Sequence, residues 1–195
     1  MVLVHGYRDD ATVFRPMVGY LRRAGLRPYP ITLRPSDGRA PLETLAQQLR
    51  CRLEQALGPE APLDLVAFSM GGLVSRYYLQ QLGGLHRVVH FVTLGTPHRG
   101  TWWAYGSRRP GVVQMRPGSA FLRALEQGRR SLEAVHFTNI WTPLDLMVVP
   151  ARNASVPVGR DVSLLLPHHR ALVTAPRALA WVCTALTRSG QHARP

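Results

Sequence analysis

The chain has 195 residues, of which 46% are hydrophobic and 18% are charged, a balance typical of one compact globular domain. No repeat and no low-complexity segment is visible, which excludes solenoid, collagen-like and disordered architectures. The net charge is +13, and all 24 basic residues are arginines scattered along the chain rather than gathered in a stripe. We therefore expect no nucleic-acid partner. An anionic membrane surface stays open as a partner, because arginine binds phosphate through two parallel hydrogen bonds.

Short apolar runs alternate with amphipathic stretches along the chain. The runs predict strands at residues 1–4, 29–33, 63–68, 88–94, 136–141 and 162–166. The amphipathic stretches predict helices between Asp10 and Gly25 and at residues 42–57, 73–82, 119–127 and 178–186. Strands and helices in alternation predict one α/β domain over residues 1–195, with a mostly parallel six-stranded sheet covered on both faces. Ligand sites of such sheets lie beyond the carboxyl ends of the strands.

The first predicted strand begins at the first residue. Because a central strand rarely opens a chain, we expect an upstream segment, such as a signal, an anchor or further strands, in the natural protein. The cellular location is therefore left open by the sequence.

A serine stands where the third predicted strand meets a helix, in Phe68-Ser69-Met70-Gly71. A sharp strand-to-helix turn lifts a hydroxyl out of the sheet edge, and small residues on both sides relieve the strained backbone. Ala67 and Gly71 are the small residues here. Serine is also a common helix cap, but this context favours Ser69 as a nucleophile at a nucleophile elbow.

His5-Gly6-Tyr7 follows the first predicted strand. A loop at this place can supply one half of an oxyanion hole, and the residue after the nucleophile supplies the other half. We therefore expect the backbone N–H groups of Tyr7 and Met70 to hold an oxyanion. The alternative is an ordinary turn at the end of a strand, and His5 itself is interpreted as structural.

A carboxylate and a pair of histidines follow the last two predicted strands. Asp145 comes just after residues 136–141, where an acid can orient a histidine. Asp161 is expected to precede the last strand and so to lie at the wrong edge of the sheet. His168 and His169 follow that strand, and one of them is the expected base. The other histidines are interpreted as core or surface residues, with His192 in a polar tail.

Four segments together resemble the α/β-hydrolase lipases and esterases, particularly small bacterial lipases and the lipase-like hydrolases related to GPI inositol-deacylases. The segments are residues 2–6, 69–78, 92–101 and 145–150. The resemblance implies a minimal α/β-hydrolase fold that starts at the strand before the oxyanion loop, with a Ser-Asp-His triad. In this family apolar residues follow the histidine at three and four positions, and proline often follows at seven. Leu172, Val173 and Pro176 stand at those distances from His169, which is therefore the implied base.

Two residues depart from the family pattern beside the elbow. Ala67 and Phe68 stand where the family usually has glycine and histidine. We expect the elbow to survive both changes. Many relatives also carry an upstream hydrophobic anchor or signal, which agrees with the abrupt start of this chain.

The stretch between the fourth and fifth predicted strands, residues 101–135, is irregular and rich in aromatic and apolar residues. Lipases commonly carry a lid or an acyl-binding wall there, for which Trp102 and Trp103 are the candidate substrate-binding residues. Gly106, Gly111 and Gly118 are candidate hinges. The alternative is that these side chains pack on the domain as satellite core.

These features predict a monomeric serine hydrolase that cleaves carboxylic esters, including those of acyl lipids, through Ser69, Asp145 and His169. No cofactor and no metal are expected, because no group of histidines, cysteines or carboxylates has ligand spacing. Cys51 and Cys183 are expected to be free thiols. Two alternatives are an acyltransferase that uses the same triad and a catalytically silent module that holds a lipid or a protein partner.

Overall fold

Six parallel strands form one sheet in the computed structural model, which describes residues 1–187 of the chain. The strands are β1 (Val2–Val4), β2 (Tyr29–Ile31), β3 (Leu63–Phe68), β4 (Val88–Leu94), β5 (His136–Trp141) and β6 (Arg160–Ser163). Their order across the sheet is β2-β1-β3-β4-β5-β6. The predicted parallel six-stranded sheet is therefore confirmed, with β1, β3 and β4 in its centre.

Helices cover both faces of the sheet. They are α1 (Arg15–Arg23), α2 (Leu42–Leu57), α3 (Met70–Gln81), α4 (Pro110–Val113), α5 (Ala120–Gln127) and α6 (Pro176–Thr187). Buried residues of α2, α3 and α5 pack in one hydrophobic core, and those of α1 and α6 pack in a second core. No helix within residues 1–187 has both the length and the apolar character needed to cross a membrane.

Each central strand contributes to both cores because successive side chains point to opposite faces. In β3, Leu65 and Ala67 belong to the core under α2 and α3, whereas Val66 and Phe68 belong to the core under α1 and α6. A strand buried on both faces reads as a continuous apolar run. This explains why the central strands were predicted with few errors.

Four elements differ by two or more residues from the sequence-based prediction. Strand β2 ends at Ile31 rather than at residue 33. Helix α3 begins at Met70 rather than at residue 73, because the chain enters the helix directly from the turn at Ser69. Helix α6 begins at Pro176, since proline suits the first helical turn, where its missing N–H is not needed. Strand β6 spans Arg160–Ser163 instead of residues 162–166.

The shift of β6 corrects the interpretation of Asp161. This residue lies inside β6 opposite Asn139, and does not precede the strand. Its carboxylate accepts hydrogen bonds from the side chains of Asn139 (2.6 Å), Trp141 (3.0 Å) and Ser155 (2.9 Å). These bonds stabilise a polar residue within an edge strand. The apolar pattern indicates a start for this strand two residues later, at residue 162.

Candidate active site

Ser69 occupies the turn between β3 and α3 with φ 54° and ψ −126°. A positive φ is uncommon for a residue with a side chain, and it is kept only where the surroundings impose it. Here the Ser69 N–H donates to the carbonyl of Leu94 at the end of β4 (2.8 Å), and the Ser69 carbonyl accepts from Gly72 N–H (3.0 Å). The strained turn that the sequence predicted is therefore present.

The loop after β1 lies directly against this turn. A Cβ atom at Gly71 would come within 2.4 Å of the His5 carbonyl oxygen, so only glycine fits there. A Cβ atom at Gly6 would come within 2.8 Å of Ser69 Cβ and 3.4 Å of Ser69 Oγ. The residues that follow Gly6 and Ser69 are Tyr7 and Met70, so the two expected oxyanion donors belong to segments in direct contact.

The side chain of His5 stabilises that loop through hydrogen bonds. Its ring is buried, Nε2 accepts a hydrogen bond from Leu33 N–H (2.9 Å), and Nδ1 lies 2.9 Å from the Gly6 carbonyl. Burial lowers the pKa of His5 below its ordinary value, which favours the neutral ring. Both ring nitrogens are thus occupied by the protein, and His5 acts as a structural residue.

Asp145 and His169 are joined by a hydrogen bond of 2.6 Å between Oδ2 and Nδ1. The Asp145 side chain is fully buried, and that of His169 is 12% exposed. The other carboxylate oxygen of Asp145 accepts from the N–H groups of Met147 (2.8 Å) and Val148 (2.9 Å). These bonds hold the carboxylate in one orientation, which in turn orients the imidazole.

The neighbouring His168 has a different role. Its ring nitrogen Nδ1 accepts from Ala171 N–H (3.1 Å), and so caps the 3₁₀ turn His169–Val173. His168 is exposed, whereas His169 is half-buried. Asp145 is therefore bonded to His169 and not to His168.

Two residues place His169 next to the Ser69 turn. The ring of Phe68, which precedes Ser69, lies 4.7 Å from the His169 ring. A Cβ atom at Gly95 would lie 2.9 Å from His169 Cε1, and Gly95 follows Leu94, whose carbonyl holds the Ser69 N–H. Ser69, Asp145 and His169 are therefore brought to one place at the carboxyl edge of the sheet.

Two contributors to this arrangement are not predicted by the sequence. Phe68 was noted only as a departure from a family pattern, and its contact with His169 joins residues that are distant in the chain. Arg170 forms an ion pair with Asp9 (2.8 Å), which ties the histidine loop to the loop of Tyr7. No local pattern indicates that pair, because the two residues are 161 positions apart in the chain.

A buried polar network lies beneath the site. The Arg76 side chain is fully buried and donates to the Leu125 carbonyl (2.9 Å) and to Gln80 Oε1 (3.2 Å), and it lies 3.2 Å from His98 Nδ1. Burial lowers the pKa of Arg76 to about 10. Burial, followed by the charge of Arg76, lowers the pKa of His98 well below 6.5. His98 is therefore a neutral core residue, which is one of the two environments, core or surface, that the sequence left open.

The network continues from His98 across three strands. Nε2 of His98 lies 3.1 Å from Thr93 Oγ1 in β4, and Thr93 donates to Asn139 Oδ1 in β5 (2.8 Å). Asn139 then donates to Asp161 in β6 (2.6 Å). A guanidinium and a carboxylate are thus linked by neutral groups, and these bonds hold together the strands that carry the site loops.

The insertion at residues 101–135 divides into two parts. Val112, Met115 and Phe121 are buried in the core, and Gly111 N–H donates to the Gly38 carbonyl (2.9 Å). Gln114 accepts from Leu42 N–H (2.7 Å) and thereby fixes α4 to the start of α2. By contrast, Trp102 and Trp103 are each 62% exposed. The buried part of the insertion therefore packs in the core under α2 and α3, whereas the two tryptophan rings lie on the surface.

Cys51 and Cys183 are free thiols. Within residues 1–187, no three side chains of histidine, cysteine, aspartate or glutamate converge in a way that could hold a metal ion.

Three solved structures show the same fold. Lipase BlEst2 of Bacillus licheniformis in its mature form superposes with a TM-score of 0.74 at 19% identity, over 95% of this chain and 90% of that one. Lipase B of Aspergillus fumigatus gives 0.83 at 18% identity, over 97% of this chain and 52% of that one, so this chain spans about half its length. A thermophilic esterase from Thermogutta terrifontis gives 0.66 at 16% identity, over 95% and 88%.

The sequence comparison is more specific than the fold. The chain matches no curated protein sequence. A family profile described as palmitoyl protein thioesterase matches residues 1–141, a stretch that contains Tyr7, Ser69 and Met70 and ends before Asp145 and His169. This match covers well over half of the chain, and the sheet and the structural neighbours have the α/β-hydrolase architecture. The chain therefore belongs to the palmitoyl protein thioesterase family, within the α/β-hydrolase superfamily of lipases and esterases.

Proposed function

We propose that the protein hydrolyses carboxylic esters, including acyl lipids, by transient acylation of Ser69. The observation that carries the proposal is the hydrogen bond of 2.6 Å between Asp145 and His169, made by a ring that packs against Phe68, the residue before Ser69. A strained serine, a histidine and a buried carboxylate in this order are the parts of a Ser-His-Asp mechanism. No cofactor is required for this chemistry.

Acylation starts with a proton transfer. Since Nδ1 of His169 is bonded to Asp145, Nε2 is the nitrogen that takes the proton of the Ser69 hydroxyl. Oγ of Ser69 then forms a bond to the ester carbonyl carbon, and the carbonyl π electrons move to its oxygen. The N–H groups of Tyr7 and Met70 would stabilise this oxyanion. One such donor typically lowers the barrier by roughly 3 kcal/mol.

Deacylation repeats the sequence with water. The tetrahedral intermediate collapses as His169 gives its proton to the leaving alcohol, and the acyl group stays on Ser69. Water then loses a proton to His169 and forms a bond to the acyl carbon. The second tetrahedral intermediate collapses as the bond between the acyl carbon and Ser69 Oγ breaks, His169 gives its proton to Oγ, and the acid is released. Asp145 stabilises the imidazolium in both halves without taking its proton.

A thioester is the second candidate substrate, and the family match favours it. The same acyl-enzyme forms from an S-acyl group, and the leaving thiolate depends less on protonation by His169 than an alkoxide does. O-acyl and S-acyl substrates with the same acyl chain would separate the two. A higher kcat/KM for the S-acyl compound identifies a thioesterase, and the reverse identifies an esterase.

The proposal is tested by turnover of a series of p-nitrophenyl esters. The wild-type protein is expected to hydrolyse them, and Ser69→Ala to lower kcat by several orders of magnitude with an unchanged circular dichroism spectrum. Product analysis with an added alcohol distinguishes water from alcohol as the acyl acceptor, and so tests the acyltransferase alternative. Equal turnover by purified Ser69→Ala would contradict the proposed nucleophile.

A further inference from the structure

Six large apolar side chains are exposed on two loops beside the site, and we refer to them as the apolar rim. They are Trp102, Trp103, Tyr105, Leu144, Leu146 and Met147. Leu146 is 75% exposed, more than any other large apolar residue that the structure describes. Single exposed apolar residues are ordinary, but a group of this kind on one surface marks an interaction site.

Hydrogen bonds hold the two loops of the rim together. Thr101 Oγ1 donates to the Met147 carbonyl (2.9 Å), and Trp102 N–H donates to the Val149 carbonyl (2.8 Å). The indole N–H of Trp103 donates to the Leu146 carbonyl. The rim is therefore one continuous surface made by residues more than 40 positions apart.

The rim includes both chain neighbours of the proposed catalytic carboxylate. Its loops follow β4 and β5 and so lie at the carboxyl edge of the sheet, together with Ser69 and His169. Asp145 stands between Leu144 and Leu146 in the chain and is buried, while both leucines are exposed. Whatever binds the rim would thus be held next to the loop that carries Asp145.

The exposed charged residues of the rim loops, residues 99–109 and 144–152, are arginines. Residues 65–125 include neither aspartate nor glutamate. Arg99, Arg108 and Arg152 are exposed on the same loops or next to them, and the guanidinium of Arg116 lies 5.1 Å above the Tyr105 ring. The carboxylate of Asp145 faces inward. An exposed apolar surface with arginines at its border is complementary to a layer of acyl chains under anionic headgroups.

We propose that the apolar rim docks on an anionic lipid bilayer. Tryptophan and tyrosine rings favour the headgroup level of a membrane because one end is apolar and the other can form hydrogen bonds. The arginines contact lipid phosphates, while the leucines and Met147 enter the acyl region. This surface goes beyond ester hydrolysis, because docking requires neither the Ser69 hydroxyl nor the triad.

Binding to vesicles tests the proposal without catalysis. Ser69→Ala protein is incubated with phosphatidylcholine vesicles, with or without phosphatidylglycerol, and the bound fraction is measured by sedimentation. We expect at least about tenfold stronger binding to the anionic vesicles, and a marked loss when salt is raised from about 50 mM to about 500 mM. Trp102→Ala with Trp103→Ala should reduce binding by about tenfold or more.

Matched controls lie at the opposite edge of the sheet. Tyr29→Ala removes another exposed aromatic ring, at the amino end of β2, and should leave binding unchanged. Arg108→Glu with Arg152→Glu should weaken binding strongly. Arg22→Glu with Arg23→Glu, at the end of α1, makes the same change in net charge and should have little effect.

Three results would overturn the proposal. The first is the absence of binding to anionic vesicles. The second is equal binding by the Trp102 and Trp103 double variant, or equal weakening by both pairs of charge reversals, which would indicate attraction by net charge alone. The third is a dimer in sedimentation equilibrium that dissociates in the tryptophan double variant, which would assign the rim to a second copy of the chain.

Discussion

The ring of Phe68 packs against the ring of His169, with 4.7 Å between ring centroids and an interplanar angle of 35°. Phe68 is buried and is joined by a peptide bond to Ser69. The residue beside the proposed nucleophile thus fixes one face of the proposed base. A second restraint on the His169 ring is its hydrogen bond from Nδ1 to Asp145. Together these contacts limit rotation of the imidazole, so that Nε2 can be directed at Ser69.

Replacing Phe68 should therefore act through His169. We expect Phe68→Leu to lower kcat by about tenfold with little change in KM, because the imidazole loses its planar neighbour while the substrate pocket keeps its shape. Phe68→His, which restores an aromatic ring, should recover most of the loss. Steady-state kinetics with one p-nitrophenyl ester provides the measurement. A KM effect in place of a kcat effect would show that Phe68 contacts the substrate.

The adjacent histidines should differ in their contribution to activity. His169→Ala is expected to remove nearly all turnover, because Ser69 loses its proton acceptor and the leaving group its donor. His168→Ala should cost about tenfold or less, since His168 caps a turn through Ala171 N–H. Activity assays on both variants, with folding checked by circular dichroism, decide between them. The reversed pattern would make His168 the base.

The buried His98 should make the protein sensitive to mild acid. Its pKa is held well below 6.5 by burial and by Arg76, whereas the unfolded chain binds the proton near pH 6.5. The free energy of unfolding should therefore reach its highest value above about pH 6.5. As the pH falls below this value, the free energy of unfolding should decrease by up to about 1.4 kcal/mol per pH unit for one histidine. His5, whose pKa burial also lowers, acts in the same direction.

Urea unfolding between about pH 5 and pH 8 measures this dependence. His98→Gln should flatten the profile, because its side chain does not titrate, although its unfolding free energy at neutral pH should be lower. A profile as steep as that of the wild type would mean that other groups cause the acid sensitivity.

Trp102 and Trp103 should also distinguish substrates in the absence of vesicles. If their exposed rings line the path of an acyl chain, changing both to alanine should reduce kcat/KM for long-chain esters far more than for acetate esters. The reason is that the binding free energy lost with each contact increases with the apolar area of the acyl chain. Monomeric esters below their aggregation threshold provide the measurement, with Tyr29→Ala as control. Equal losses on short and long esters would contradict an acyl wall.

Local patterns predicted much of the fold and part of the site. The central strands are buried on both faces and are visible as apolar runs. Ser69 lies between an apolar strand and two glycines, a pattern that has few alternative interpretations. The limits of β6 were missed because an edge strand that contains Asp161 lacks such a run. A hydrophobic period of two or of 3.6 residues indicates which side of a strand or helix is buried. It does not indicate which strands pair in the sheet.

The relationships that complete the site are long-range. Neither the bond between Asp145 and His169 nor the contact between Phe68 and His169 has a local signature, and the resemblance alone selected His169 over His168. The network from Arg76 to Asp161 likewise has no local signature, since its members lie on a helix, on a loop and on separate strands. Such contacts arise only when parallel strands bring distant segments to one edge.

The central claim is that Ser69 is the nucleophile, and covalent labelling tests it most directly. Wild-type protein is treated with a fluorophosphonate, and intact mass followed by peptide mapping locates the adduct. We predict one adduct per chain, on Ser69, with none on Ser69→Ala and slow labelling of His169→Ala. A wild-type chain that stays unlabelled, or an adduct on another residue that persists in Ser69→Ala, would contradict the account.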